Sequence, residues 1–115
     1  MSHENAPLPN VFNAADLLER LGGDEQLRAK VIGLFLEDCP VRLAAIKDAV
    51  DARSPERIRT EAHALKGAAG NLSASQLVGA ARMLEEIGAD GRVEAADAAW
   101  EQLAAEAQRV MNALR

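Results

Sequence analysis

Apolar residues recur three and four positions apart in four long segments of this chain, and this spacing is that of one face of an α-helix. The last segment is the most regular, and its seam consists of Val93, Ala96, Trp100, Leu103, Ala107, Val110 and Leu114. No segment alternates apolar and polar residues as a half-buried strand would. Of the 115 residues 49% are apolar but only 3% are aromatic, which favours closely packed helices over a sheet. We therefore predict an all-α chain.

Boundary signals in the first half of the chain predict a short helix and then a long one. Asn13 is a suitable N-cap for the short helix, and the two glycines at 22–23 end it. Asp24 caps the long helix, for which we predict residues 25 to 51. Pro40 would normally break a helix. Because the apolar stripe continues in phase beyond it, we predict one kinked helix and not two.

The second half contains signals for three more helices. Ser54 followed by Pro55 marks the start of a helix that runs to about residue 72. Ser73, with Gln76 three positions later, predicts a capping box at the start of the next helix. We expect that helix to end at Gly88, followed by a short turn over 88–91. The last helix is predicted over about 92–114, with Trp100 as a core anchor.

Four long amphipathic helices joined by short connections predict an antiparallel up-down-up-down four-helix bundle with an additional short N-terminal helix. The bundle domain is expected to cover residues 11–115. Residues 1–10 include Pro7 and Pro9 and lack periodicity, so we interpret them as a flexible lead-in or the remnant of a linker.

Composition excludes several functional classes. The net charge is −5 and no long basic run occurs, which argues against nucleic acid or an anionic membrane as a partner. A histidine-rich metal site is excluded by a count of two histidines, and no glycine-rich loop follows a strand to form a nucleotide site. Cys39 is the single cysteine, which is typical of a reducing compartment, and no apolar run reaches about 18 residues. We expect a cytoplasmic protein.

The stretch over 61–70 carries the main candidate site. His63 lies beside the apolar face of its helix, and its own face is shared with Arg59, Lys66, Gly67 and Gly70. A glycine within a helix costs about 0.5–1 kcal/mol relative to alanine, so two of them require a reason. Since residue i+4 tends to cover residue i, a glycine at 67 leaves the imidazole open. An open imidazole beside cations suits a nucleophile that receives an anionic group such as a phosphoryl.

Two other interpretations of these residues stay open at this point. His63 could be an ordinary surface residue, and the two glycines could instead allow a neighbouring helix to pack closely.

The motif His63-Ala64-Leu65-Lys66-Gly67 resembles the phosphorylation motif of histidine-containing phosphotransfer (HPt) domains, H-x-h-K-G with h apolar. The similarity continues through the flanking helices, from about residue 11 to the C-terminus. HPt domains are found at the C-terminus of hybrid sensor kinases, and they exchange a phosphoryl group with the aspartates of receiver domains. The resemblance therefore implies a phosphocarrier of a two-component phosphorelay, without kinase activity of its own.

The resemblance also implies roles for single residues. His63 would be phosphorylated on Nε2 and Lys66 would steady the phosphoryl oxygens. The protein would need no cofactor of its own, with Mg²⁺ expected on the partner receiver. Glu85, on the following helix, matches a position where related domains hydrogen-bond the ring, although a solvated carboxylate is an equally open interpretation. The surface expected to dock the receiver or meet the phosphoryl group comprises Arg59, Ala64, Gly67, Ala68 and Gly70.

Two alternatives share this fold. One is a helical adaptor that does not transfer phosphate, which the presence of His63, Lys66 and Gly67 disfavours. The other is the phosphoacceptor domain of a chemotaxis-type kinase, whose motif surroundings are less similar to residues 68–72.

Overall fold

The computed structural model describes residues 12–115, and no strand occurs within them. The predicted lead-in over 1–10 lies outside the described residues. The elements are α1 (Ala14–Arg20), α2 (Glu25–Asp51), α3 (Pro55–Asn71), α4 (Ser75–Asp90), a 3₁₀ turn (Val93–Ala95) and α5 (Ala96–Leu114). The prediction of an all-α chain is confirmed. None of the helices in this part of the chain is both long and apolar enough to cross a membrane.

The four long helices form a closed ring around one core. α2 and α4 each pack against both α3 and α5. Because the connections over 52–54 and 72–74 are only three residues long, successive helices run antiparallel, as predicted. Fully buried side chains from every helix fill the centre, the largest being Leu17, Ile46, Ile58, Leu65, Leu72, Leu77, Leu84 and Leu103.

α2 continues through Pro40, as the phase of its apolar stripe predicts. Proline removes one backbone hydrogen bond, but Pro40 itself is exposed, so the opposite face keeps its packing. Cys39, its neighbour, is 1% exposed, and burial together with Asp38 raises the pKa of its thiol to about 11, while Arg42 opposes the shift. Cys39 is therefore a small buried apolar residue and a poor nucleophile.

The predicted capping box at Ser73 is wrong. Ser73 has a φ of +58° and belongs to the end of α3, because its N–H donates to the carbonyl of Gly70 and the N–H of Ala74 donates to that of Ala69, both at 3.1 Å. Ala74 is the N-cap residue of α4 and makes no side-chain cap. The Ser73 hydroxyl instead donates to Asp16 and accepts from Arg20 of α1. The serine thus fastens α1 to the α3–α4 turn.

The predicted end of α4 at Gly88 is also wrong. The helix continues to Asp90, and Gly91 ends it with a φ of +72°. Gly88 is buried, and a Cβ there would lie 2.6 Å from both the carbonyl oxygen of Pro55 and the amide nitrogen of Arg59. This glycine therefore allows α4 to approach the backbone of α3.

The last helix departs from prediction in two details. Residues 93–95 form a 3₁₀ turn, so α5 begins at Ala96 and not near Arg92. Trp100 is only half-buried, and Ala99 and Met111 are part of the buried face in addition to the predicted seam. The indole of Trp100 donates to the carbonyl of Leu43 at 3.4 Å, which supplies the partner that its N–H requires.

Candidate functional site

α3 places His63 on the outside of the bundle. Ser54 caps the helix and Pro55 occupies its first turn, which fixes the phase of the residues that follow. Ala62 and Leu65 are fully buried, whereas the His63 side chain is 65% exposed. The face predicted from helical spacing is the face that meets solvent.

Glu85 of α4 joins the two functional residues predicted on α3. Its Oε2 lies 2.8 Å from Nδ1 of His63, and its Oε1 lies 2.7 Å from Nζ of Lys66. The second contact is an ion pair without the direction of a good hydrogen bond. The Glu85 side chain is only 20% exposed and that of Lys66 26%, so both charges are partly shielded from water.

The charge state of Glu85 follows from these contacts. Lys66 foremost, and then His63, hold the pKa of the Glu85 carboxyl below its ordinary value, although partial burial opposes the shift. The carboxylate is therefore ionised at neutral pH and can only accept hydrogen bonds. A neutral imidazole facing it donates from Nδ1, which leaves the lone pair on Nε2.

The two glycines on this face are not packing glycines. A Cβ at either Gly67 or Gly70 would meet no atom within 4 Å beyond its own helix. Gly67 is exposed one turn after His63, so no side chain covers the imidazole from that side.

The remaining predicted residues lie near the histidine in the chain but make no hydrogen bond or ion pair with its side chain. Arg59 is exposed one turn before His63, and Ala64 and Ala68 are half-buried on the same helix. The carbonyl of Gly70 accepts a hydrogen bond from Arg20 at 2.9 Å. The structure therefore brings together His63, Lys66 and Glu85, with the others forming the surrounding surface.

A groove between α1, α2 and α3 was not predicted from the sequence. Its volume is about 720 Å³, and it begins at Ala68 and Asn71, about 8 Å along the axis of α3 from His63. Apolar side chains form most of its lining, among them Leu34, which is 59% exposed. The rest of the lining is Leu17, Arg20, Leu21, Val31, Phe35, Glu37, Asp38, Arg42 and Leu72. Because three helices contribute, the groove has no signature within one segment.

Comparison with known proteins decides the family. A family profile described as the Hpt domain matches residues 30–113, which is most of the chain. The chain belongs to the HPt domain family. A search of curated proteins found no match to this HPt domain. Among solved structures, this chain is similar to histidine-containing phosphotransfer protein B from Pseudomonas aeruginosa PAO1. The TM-score is 0.85 and the sequence identity 26%, and the match covers 94% of this chain and 93% of that one.

Membership in this family establishes the general function. The HPt domain is a histidine phosphotransfer carrier of a two-component phosphorelay. HPt proteins are phosphocarriers and not kinases, and they exchange phosphoryl groups with receiver domains.

Proposed function

We propose that His63 is the residue that carries the phosphoryl group, taking it from a receiver aspartate and passing it to an aspartate on another receiver. The observation that carries this proposal is the exposure of the ring on the bundle surface while Glu85 engages Nδ1. Nε2 makes no hydrogen bond to any described residue, so its lone pair is available to an incoming partner. The exposure also argues against the helical-adaptor alternative, which would allow the ring to be buried.

The residues of this chain supply the nucleophile and its position. Nε2 attacks the phosphorus of the aspartyl phosphate, and the P–O bond breaks with its electron pair leaving on the partner's carboxylate. Mg²⁺ on the receiver would neutralise most of the moving charge, and we expect this protein to need no cofactor of its own. Lys66 adds a cation beside the ring, and since partly exposed pairs contribute only about 0–1 kcal/mol, its loss should slow transfer modestly.

We propose that the receiver docks over α3 and into the groove. Ala68 lies both on the predicted docking surface and in the groove lining, which makes the two surfaces continuous. A receiver that reaches His63 would therefore also meet the exposed Leu34. An interface of about 1,000–1,200 Å², at the small end of specific interfaces, would allow the rapid release that a relay requires.

Leu34→Ser should weaken docking without disturbing the core. The side chain is 59% exposed, and burying that exposed part of a leucine supplies roughly 1–2 kcal/mol. We therefore expect the rate of transfer at limiting receiver to fall about tenfold. The rate of phosphate transfer between the two proteins is measured in reactions that are quenched at successive times. The matched control is Met83→Ser, because Met83 is 53% exposed on α4 and lines neither the groove nor the histidine site. Equal losses in the two variants would rule out the groove as a docking surface.

Gly67→Leu should separate stability from function. A Cβ at this position would meet no atom within 4 Å, and leucine replaces a helical glycine, so the free energy of unfolding should rise by up to about 1 kcal/mol. The same side chain leans over His63, and we expect transfer to slow by about tenfold or more because the receiver can no longer approach in line. Thermal melts and transfer rates on one sample test both. Unchanged transfer would show that the imidazole needs no clearance at 67.

The direct test of the proposed function mixes the protein with a phosphorylated receiver and Mg²⁺. We expect acid-labile, base-stable phosphate to appear on this chain, and peptide mapping under alkaline conditions to place it at 63. Label on another residue, or no label with several competent receivers, would refute the assignment.

We also propose a cytoplasmic location, since the chain's one cysteine is kept as a buried thiol.

A further inference from the structure

Glu85 uses its two oxygens on two different partners. Oε2 contacts Nδ1 of His63 and Oε1 contacts Nζ of Lys66. Within residues 12–115 no other charged group, from α2 or α5 or elsewhere, comes within ion-pair distance of any of these three side chains. Among the described residues, Glu85 is therefore the one carboxylate at ion-pair distance from the ring, and one lysine contacts it in turn.

Phosphorylation changes what that carboxylate faces. A neutral imidazole has one N–H and one lone pair. When the lone pair of Nε2 forms the bond to phosphorus, the ring still carries its proton on Nδ1 and gains a positive charge. Free in water, such a ring can lose that proton. Beside Glu85, loss of the proton would leave a lone pair on Nδ1 facing an acceptor-only oxygen at 2.8 Å.

We propose that Glu85 keeps the proton on Nδ1 throughout the phosphorylated state, so that the relay runs without any proton transfer. This inference rests on the proposed function of His63. In the onward step an oxygen of the second receiver's aspartate attacks phosphorus, the N–P bond breaks, and its electron pair returns to Nε2. The ring leaves as neutral imidazole in its starting tautomer. Without the Nδ1 proton the leaving group would be the imidazolate anion, which is much poorer.

Glu85 is thus a positioning residue that keeps the N–P bond reactive. The same effect should shorten the lifetime of the phosphohistidine toward hydrolysis. Glutamine at 85 can accept a hydrogen bond from a protonated Nδ1 or donate one to a deprotonated Nδ1. The Glu85→Gln variant therefore no longer favours the protonated form of the phosphorylated ring. Lys66 assists by keeping the carboxylate ionised and pointed at the ring.

The test charges the protein with phosphoramidate, a small donor that avoids any effect on receiver docking. Loss of phosphohistidine is then followed by ³¹P NMR from pH 5 to 9 in wild type and Glu85→Gln. We expect the pH profile of the rate of phosphohistidine loss to lie about one unit lower in the variant than in the wild type. At pH 8 the phosphohistidine of the variant should therefore last about tenfold longer than that of the wild type. The ¹⁵N shift of Nδ1 in the charged ring should report a proton in the wild type at a pH where the variant has lost it.

The matched control is Glu86→Gln, which removes the same charge from the adjacent, exposed position of α4 and should leave the profile unchanged. If His63 is labelled but the Glu85→Gln and wild-type profiles coincide, the inference is wrong and the proposed function stands. If Glu86→Gln shifts the profile equally, the effect is general charge and not positioning. Absence of label on His63 in every variant would instead refute the proposed function.

Discussion

His63→Gln is expected to abolish phosphate transfer to this protein completely. Glutamine keeps a polar side chain of moderate size on an exposed helical position, so the fold should persist, but its amide nitrogen has no nucleophilic lone pair. The phosphoryl group would then have no acceptor on the whole of α3. Autoradiography after incubation with a phosphorylated receiver and Mg²⁺, with acid and alkaline washes, measures the loss, and circular dichroism confirms that the variant is folded.

The chain offers a matched control for this prediction. It contains two histidines, and His3→Gln should be labelled as the wild type is. Label retained by His63→Gln, or lost in His3→Gln, would place the acceptor outside the site described here.

Gly88→Ala is expected to have the largest effect on stability. An added Cβ would lie 2.6 Å from the carbonyl oxygen of Pro55 and the amide nitrogen of Arg59, which are four residues apart and form a hydrogen bond in the first turn of α3. Both contacts are with backbone and cannot be relieved by a rotamer change, so we expect a loss of about 3 kcal/mol in the free energy of unfolding. Thermal and urea denaturation measure it, and the melting temperature should fall by about 10 °C or more.

Gly79→Ala provides the comparison within the same helix. Gly79 is exposed, and a Cβ there would meet nothing within 4 Å. This variant should gain up to about 1 kcal/mol from better helix propensity. If Gly88→Ala were as stable as the wild type, α4 would not approach α3 as closely as described. Transfer should also slow in Gly88→Ala, because Glu85 lies one turn away on the displaced helix.

Local patterns predict most of this fold because each helix shows its own period. The continuation of α2 through Pro40 was predictable, since apolar residues keep their phase on both sides of the proline. The roles of Ser73 and Gly88 were not predictable, because the local sequence indicates one role for each residue and a tertiary contact gives it another. Ser73 suits an N-cap, but its hydroxyl is occupied by α1. Gly88 suits a helix end, but it fills a place where two backbones meet.

The candidate site also has a part that could be predicted from local sequence and a part that could not. His63, Lys66 and Gly67 lie on one helix, so spacing alone places them on one face. The contact of Glu85 with the ring depends on the register between α3 and α4, which no single segment encodes, and only the family resemblance suggested it. The groove at Leu34 requires three helices and could not be found from any one of them.

The chain crosses the bundle an even number of times, and this has a practical consequence for how the protein is handled. Asn13 donates to the carbonyl of Ser73, so the chain enters at the α3–α4 turn, and α5 ends at that same extremity. A purification tag or fluorophore on the C-terminus would emerge roughly 12 Å along the axis from His63, close enough to obstruct an incoming protein. Reporters belong at the far extremity instead, in the turn over 52–54 or beside Gly91.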